Sequence, residues 1–73
     1  MKEKILAVCN EVNNSIDYSA EGLIDNGIID SVTLVGIATE LMMEFGIEIP
    51  YEEITPENFN SLDAMCALVE KYA

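Results

Sequence analysis

The chain contains no histidine, no arginine and no tryptophan, and it has only three lysines. Without histidine, the arrangements in which an imidazole activates a serine or cysteine nucleophile are excluded. Nucleic-acid binding is not expected, because contacts to phosphates need Lys and Arg. The sequence also lacks a P-loop and a dinucleotide-binding fingerprint. We therefore expect no enzymatic activity in the chain itself.

Secretory signals, CxxC pairs and apolar runs long enough to cross a bilayer are also missing. We therefore expect a cytoplasmic location and no stable membrane insertion. The two cysteines, Cys9 and Cys66, lie on apolar faces of candidate helices and are interpreted as small core residues. A disulfide between them remains open at this point.

Negative charge is abundant: 14 Asp and Glu residues against three lysines give a formal net charge of -11. This charge steers basic partner proteins toward the surface, and it also keeps a small protein soluble. The 73 residues, of which 51% are hydrophobic, predict a single domain over 1–73. So small a core leaves little chain for a deep catalytic cleft. We expect a monomeric module that presents a group to other proteins.

Apolar residues recur at helical spacing and predict three main helices, at 2–13, 31–45 and about 61–72. A short helix is predicted to start at Thr55-Pro56 and to end near Phe59. The fold class is therefore all-α, a small antiparallel helical bundle with three main helices plus one short helix.

Three further local signals refine this bundle. Gly46 is expected to end the second helix in a left-handed conformation. Asn60 and Ser61 are expected to cap the last helix. The long connection over 15–29 contains an echo, Gly22-Leu-Ile-Asp25 and Gly27-Ile-Ile-Asp30, which we interpret as two anchored turns, with a short helical turn near 20–24 as a further possibility.

A calcium-loop pattern in this connection is rejected. Asp17, Ser19 and Glu21 before Gly22 resemble the opening of an EF-hand, but Ile28 occupies the closing position, which requires a bidentate Glu. We predict no metal site, and a module that loosely binds a divalent cation remains only a rival hypothesis.

The Asp30-Ser31 pair opens the second helix, where backbone N–H groups have no partner within the helix. Those groups favour an anion, so Ser31 is either a cap or the bearer of a phosphate. Asp30 can cap as well, which leaves the Ser31 hydroxyl spare. Leu34 stands where a capping box would need Glu or Gln.

The run Leu23-Ile-Asp-Asn-Gly-Ile-Ile-Asp-Ser-Val32 resembles the attachment site of acyl and peptidyl carrier proteins. The segments 44–50 and 55–62 look similar to the corresponding parts of that family. The resemblance implies that 4′-phosphopantetheine is attached covalently to Ser31, flanked by Asp30, and carries a substrate as a thioester. It also implies three kinds of partner: a phosphopantetheinyl transferase, an enzyme that loads an acyl or aminoacyl group, and downstream synthases.

On this resemblance, partners would meet the exposed side of the second helix, at Val32, Gly36, Thr39, Glu40 and Met43. Met43 suits a surface that adapts to several partners. Gly36 has an equal alternative interpretation, close packing against another helix.

Three positions at which the sequence differs from the family pattern indicate which kind of group would be carried as the thioester. Val32 stands where the family usually has Leu, and Thr33 and Gly36 stand where carriers of fatty-acid synthesis often have acidic residues. This favours a specialised acyl carrier, or a D-alanyl or peptidyl carrier. The rival of a different class is an unmodified acidic helical adaptor in which Ser31 is only a cap.

Overall fold

The computed structural model describes residues 1–73, and it contains helices, turns and extended connections but no β-strand. The prediction of an all-α bundle is confirmed, and a 3-10 turn precedes the short helix. The elements are α1 (Lys2–Val12), α2 (Ser31–Phe45), the 3-10 turn (Tyr51–Glu53), α3 (Pro56–Phe59) and α4 (Leu62–Tyr72). None of these helices is both long and apolar enough to cross a membrane.

The helix ends follow local capping chemistry. Gly46 ends α2 with a φ of 63° and a ψ of 39°, a left-handed conformation that glycine adopts without steric cost. At the start of α4, the Ser61 Oγ accepts a hydrogen bond from the Ala64 amide at 3.1 Å. Thr55 has the extended backbone of an N-cap but no capping hydrogen bond to its side chain. The helix that it precedes has only four residues and begins with Pro56, which offers no N–H.

The core is a single cluster of 15 buried hydrophobic residues, with no buried polar or charged residue. α1 packs against both α2 and α4, and α3 packs against α4. Lys4 near the start of α1 lies 3.7 Å from Glu44 near the end of α2, so these two helices run antiparallel. Fully burying one large apolar side chain contributes about 1.5–3 kcal/mol. The largest fully buried side chains are Phe59, Ile5, Leu23, Ile37, Leu41, Met65 and Val69.

Both cysteine thiols are free. Cys9 is buried in α1, and its Sγ lies 3.7 Å from the Sδ of Met65 in α4. Burial raises the pKa of Cys9 to about 11, so this thiol remains protonated at neutral pH. Cys66 is only half-buried, at the edge of the apolar face of α4.

The connection between α1 and α2 is held by three buried side chains, those of Tyr18, Leu23 and Ile29. The Tyr18 hydroxyl donates to the carbonyl oxygen of Asn13 at 2.6 Å, just beyond the end of α1. The expected helical turn near 20–24 is instead a turn over 23–27. Gly22 has a φ of 63°, a value incompatible with a right-handed helix, which explains the shift.

A cluster around Glu53 fastens the end of α4 to the segment before α3. The Glu53 Oε2 accepts hydrogen bonds from the Lys71 Nζ at 2.5 Å and from the Tyr72 hydroxyl at 2.7 Å. The carbonyl oxygen of Glu53 accepts a further bond from the Asn58 Nδ2 at 2.8 Å. The bond from Lys71, followed by that from Tyr72, lowers the pKa of the Glu53 carboxyl below its usual value. The ionised carboxylate therefore stabilises the fold.

Replacing Glu53 with Gln is expected to lower the urea midpoint of unfolding at pH 7. Because the pKa of Glu53 is lowered on folding, its contribution is complete above the unfolded pKa and is lost as the pH falls through the folded pKa. The difference in midpoint between wild type and Glu53→Gln should therefore shrink as the pH falls through the lowered pKa of the folded Glu53 carboxyl. Urea denaturation, followed by circular dichroism at several pH values, measures this difference in midpoint.

The matched control is Glu52→Gln, which changes the neighbouring, exposed carboxylate. Equal midpoints for the two variants at pH 7, or a difference that does not vary with pH, would contradict the stabilising role of the Glu53 cluster.

Candidate functional site

Ser31 is the first residue of α2, and it is exposed to solvent. Its hydroxyl makes no hydrogen bond within the chain, because the preceding residue performs the capping. The first hydrogen bond of the helix runs from the Leu34 amide to the Asp30 carbonyl at 2.9 Å. The amides of Ser31 and Val32 precede it and have no acceptor in the helix. The structure therefore presents a free hydroxyl beside free N–H donors.

Asp30 is the N-cap of α2. Its Oδ1 accepts a hydrogen bond from the Thr33 amide at 2.8 Å, and its backbone is extended, with a φ of -86° and a ψ of 175°. This bond lowers the pKa of the Asp30 carboxyl, so the cap is ionised at neutral pH. Of the two residues that the sequence offered as caps, the structure uses Asp30 and leaves the side chain of Ser31 unused.

The loop before Ser31 is anchored at both of its ends. Leu23 is fully buried, Ile29 is 3% exposed, and the Ile29 amide donates to the Leu23 carbonyl at 2.8 Å. Gly27, between them, has a φ of 71°. The sequence predicted two anchored turns, but the structure has one turn over 23–27 followed by bends at 28 and 29, and Ile28 is 38% exposed. This closed loop places Ser31 at the surface.

Asn60 is a residue whose role the sequence did not reveal. It was expected to help cap α4, but its side chain instead reaches the loop before Ser31, where its Oδ1 accepts hydrogen bonds from the amides of Ile24 and Asp25 at 2.9 and 3.0 Å. Ser61 alone caps α4 with its side chain. Local patterns could not predict these contacts, since the partners are 35 and 36 residues apart in the chain.

The five residues predicted to meet partners lie along one side of α2 by their helical spacing. Val32 is 82% exposed and Met43 is 71% exposed. Thr39 is also exposed, and its hydroxyl donates to the Val35 carbonyl at 2.9 Å. Gly36 and Glu40 are half-buried. Their role in partner binding stays a prediction.

Gly36 lies where α1 approaches α2. A Cβ at this position would lie 3.2 Å from the Val12 Cγ1, which is tighter than an ordinary van der Waals contact. This geometry supports the interpretation of Gly36 as a residue that permits close helix packing. It also lines an open groove with Thr39, Glu40 and Glu11, so the same position remains accessible from solvent.

Val35 is an apolar residue of α2 that is nevertheless 52% exposed. α2 packs mainly against α1, and its buried residues form a stripe at Ile37, Ala38 and Leu41 that does not include Val35. Apolar residues spread over much of the circumference of α2, so its sequence pattern did not mark where the buried stripe ends. Val35 adds apolar area beside Val32.

Every lysine of the chain pairs with a carboxylate: Lys2 with Asp63 at 2.9 Å, Lys4 with Glu44, and Lys71 with Glu53. Asp30 and Glu40, near the predicted partner face, have no such pair. The surface around Ser31 therefore combines apolar side chains with unpaired carboxylates, an arrangement that favours basic, partly apolar partner surfaces.

Two curated proteins are similar to this chain along nearly its whole length. A D-alanyl carrier protein from Lactobacillus acidophilus is 28% identical over 71 residues, an alignment that covers 94% of this chain and 90% of that protein. A D-alanyl carrier protein from Leuconostoc mesenteroides is 26% identical over 72 residues, covering 96% and 92%. No family model matches the chain. No solved structure matches it either.

Replacing Asp30 and Ser31 with alanine, one at a time, tests which of the two residues caps α2. Asp30→Ala is expected to lower the urea midpoint of unfolding, because the Thr33 amide loses its acceptor. Ser31→Ala is expected to leave the midpoint nearly unchanged, because its hydroxyl bonds to nothing in the chain. Equal losses in both variants, measured by circular dichroism in urea at pH 7, would contradict this assignment.

Proposed function

We propose that the chain is a carrier protein, like the two proteins to which it is similar, and that it carries an acyl or aminoacyl group as a thioester on a 4′-phosphopantetheine arm attached to Ser31. The observation that carries this proposal is the exposed, unbonded hydroxyl of Ser31 at the end of an anchored loop. Because Asp30 holds the cap, esterification of Ser31 leaves the helix start intact.

In the proposed modification, the Ser31 Oγ attacks the phosphorus of coenzyme A that bears pantetheine. The new O–P bond forms as the pyrophosphate bond breaks, adenosine 3′,5′-bisphosphate leaves, and the hydroxyl proton passes to a base of the transferase. Free N–H groups at the positive end of α2 favour the resulting phosphodiester. The thiol of the arm supplies the thioester bond, and this chain supplies the attachment point rather than a catalytic group.

The proposed partners are a phosphopantetheinyl transferase, a loading enzyme and downstream synthases. Their docking face comprises Val32, Gly36, Thr39, Glu40 and Met43, extended by the exposed Val35. Large exposed apolar side chains supply contact area, and the net charge of -11 accelerates encounter with basic surfaces. We propose that the chain acts as a monomer in the cytoplasm, in trans with these enzymes.

For the cargo, we favour an aminoacyl group of the D-alanyl type. The support is that both similar proteins are D-alanyl carrier proteins and that each alignment covers at least 90% of either protein. The departures at Thr33 and Gly36 from the acidic pattern of fatty-acid carriers agree with this choice. A longer acyl chain is the alternative cargo.

Attachment is tested by intact mass after incubation with coenzyme A and a broad-specificity phosphopantetheinyl transferase. We expect a gain of one phosphopantetheine, which peptide mapping locates to Ser31. Ser31→Ala should show no gain while keeping the circular dichroism spectrum of the wild type, because the hydroxyl is not part of the fold.

Ser19→Ala is the matched control, since it removes another exposed hydroxyl and should leave modification unchanged. If folded wild type gained no mass with several transferases, attachment at Ser31 would be refuted, and the unmodified adaptor would become the better reading. A gain that persists in Ser31→Ala would refute the assignment of the site.

Cargo is tested on the modified chain by offering activating enzymes with ATP: a D-alanine-activating ligase with D-alanine or L-alanine, and a fatty-acyl synthetase with a medium-chain fatty acid. We expect a D-alanyl thioester, seen by intact mass and released by hydroxylamine, and a rate at least about tenfold higher than that of fatty-acyl loading, equivalent to about 1.4 kcal/mol. Faster loading by the fatty acid would overturn the aminoacyl assignment but not the carrier function.

A further inference from the structure

One residue links the corner between α3 and α4 to the loop that presents Ser31. Resting on the proposed attachment of phosphopantetheine, we infer that Asn60 is a positioning residue for that modification. It holds the loop before Ser31 in a single conformation, so that the Ser31 hydroxyl is already placed when the transferase binds.

Four hydrogen bonds join Asn60 to three consecutive loop residues. The Asn60 Oδ1 accepts from the amides of Ile24 and Asp25 at 2.9 and 3.0 Å. The Asn60 Nδ2 donates to the Asp25 Oδ2 at 3.0 Å. The carbonyl oxygen of Asn60 accepts from the Leu23 amide at 2.9 Å. Both polar ends of the side chain are thus used, an arrangement that the planar amide of asparagine satisfies and a carboxylate does not.

The contacts continue from these residues to the start of α2. Leu23 is fully buried, and its carbonyl oxygen accepts the hydrogen bond from the Ile29 amide at 2.8 Å. Ile29 is also buried and stands directly before the Asp30 cap. Asn60 therefore holds Leu23, whose carbonyl oxygen closes the loop. The closing hydrogen bond in turn holds Ile29, the residue before the Asp30 cap.

This link matters because of how α2 is packed. The principal packing of α2 is against α1, whereas α3 and α4 pack against each other and α4 against α1. The bonds of Asn60 connect the α3–α4 corner directly to the segment that leads into α2. Fixing a reacting hydroxyl in advance reduces the entropy lost on reaching the reactive geometry, and small misplacements produce large losses of rate.

The first test compares wild type with Asn60→Ala in phosphopantetheine transfer from coenzyme A. We expect kcat to fall about tenfold while KM for the carrier changes less than about twofold, because the docking face on α2 is untouched. Amide hydrogen exchange should accelerate at Ile24 and Asp25. Asn58→Ala is the matched control: it removes an asparagine side chain in α3 that bonds to Glu53 instead of the loop, so it should leave kcat unchanged.

The second test exchanges the amide of Asn60 and the carboxylate of Asp25 between the two positions. Asn60→Asp alone places a carboxylate against that of Asp25 and should lower kcat. Combining it with Asp25→Asn restores a donor facing an acceptor, because the new amide at 25 can donate to the new carboxylate at 60, and the two backbone N–H bonds are retained. We expect the double variant to recover most of the kcat lost by Asn60→Asp. Urea denaturation of every variant confirms that the compared chains are folded.

The outcomes separate this inference from the function on which it rests. Wild type that gains no phosphopantetheine refutes the attachment itself. Modified wild type with an unchanged kcat in Asn60→Ala, or a double variant no faster than Asn60→Asp, refutes the positioning role. A loss confined to KM would show that Asn60 serves docking, and this would also overturn the inference.

Discussion

The burial of Tyr18, Leu23 and Ile29 is the interaction on which the rest of the structure depends. A connection as long as 13–30 would be costly to order in a compact bundle without its own apolar anchors. These three side chains join the helical core and make the connection part of it. The surface position of Ser31 follows, because Ile29 is buried just two residues before an exposed hydroxyl.

Charge imposes the second constraint. With a formal net charge of -11 and three lysines, each already next to a carboxylate, most acidic groups repel one another in water. The fold tolerates this repulsion because the buried cluster contains no charged side chain, and solvated charges are screened by salt. In the proposed carrier role, the same excess of negative charge would attract basic partner surfaces over long range, while the exposed apolar side chains of α2 would supply the contact area.

The start of α2 shows how structure and chemistry can be divided between neighbouring residues. Asp30 accepts the hydrogen bond from the Thr33 amide and thereby stabilises the start of the helix, so the hydroxyl of Ser31 has no capping role. A modified residue that was also the cap would lose its capping bond on esterification. If Ser31 is the attachment point, as proposed, this separation lets the free and the modified chain keep the same helix start.

Much of the fold and the position of Ser31 were predictable from the sequence, because they depend on short-range rules. Gly46, Pro56 and Ser61 mark helix ends through backbone conformation and capping within a few residues. The helix over 31–45 was predicted with the observed bounds for the same reason. The echo over 22–30 predicted that the connection is anchored, although it did not distinguish Ile28, which is exposed, from Ile29, which is buried.

Only the tertiary structure decided which polar side chains bridge distant segments and which apolar ones stay outside. The amide of Asn60 reaches residues 35 and 36 positions earlier, and Glu53 meets Lys71 and Tyr72 18 and 19 positions later. No local periodicity encodes such pairs, since they depend on how the helices pack. Val35 is exposed for a similar reason, because the area of α2 that is buried is set by the partner helix α1 rather than by the hydrophobicity of α2 itself.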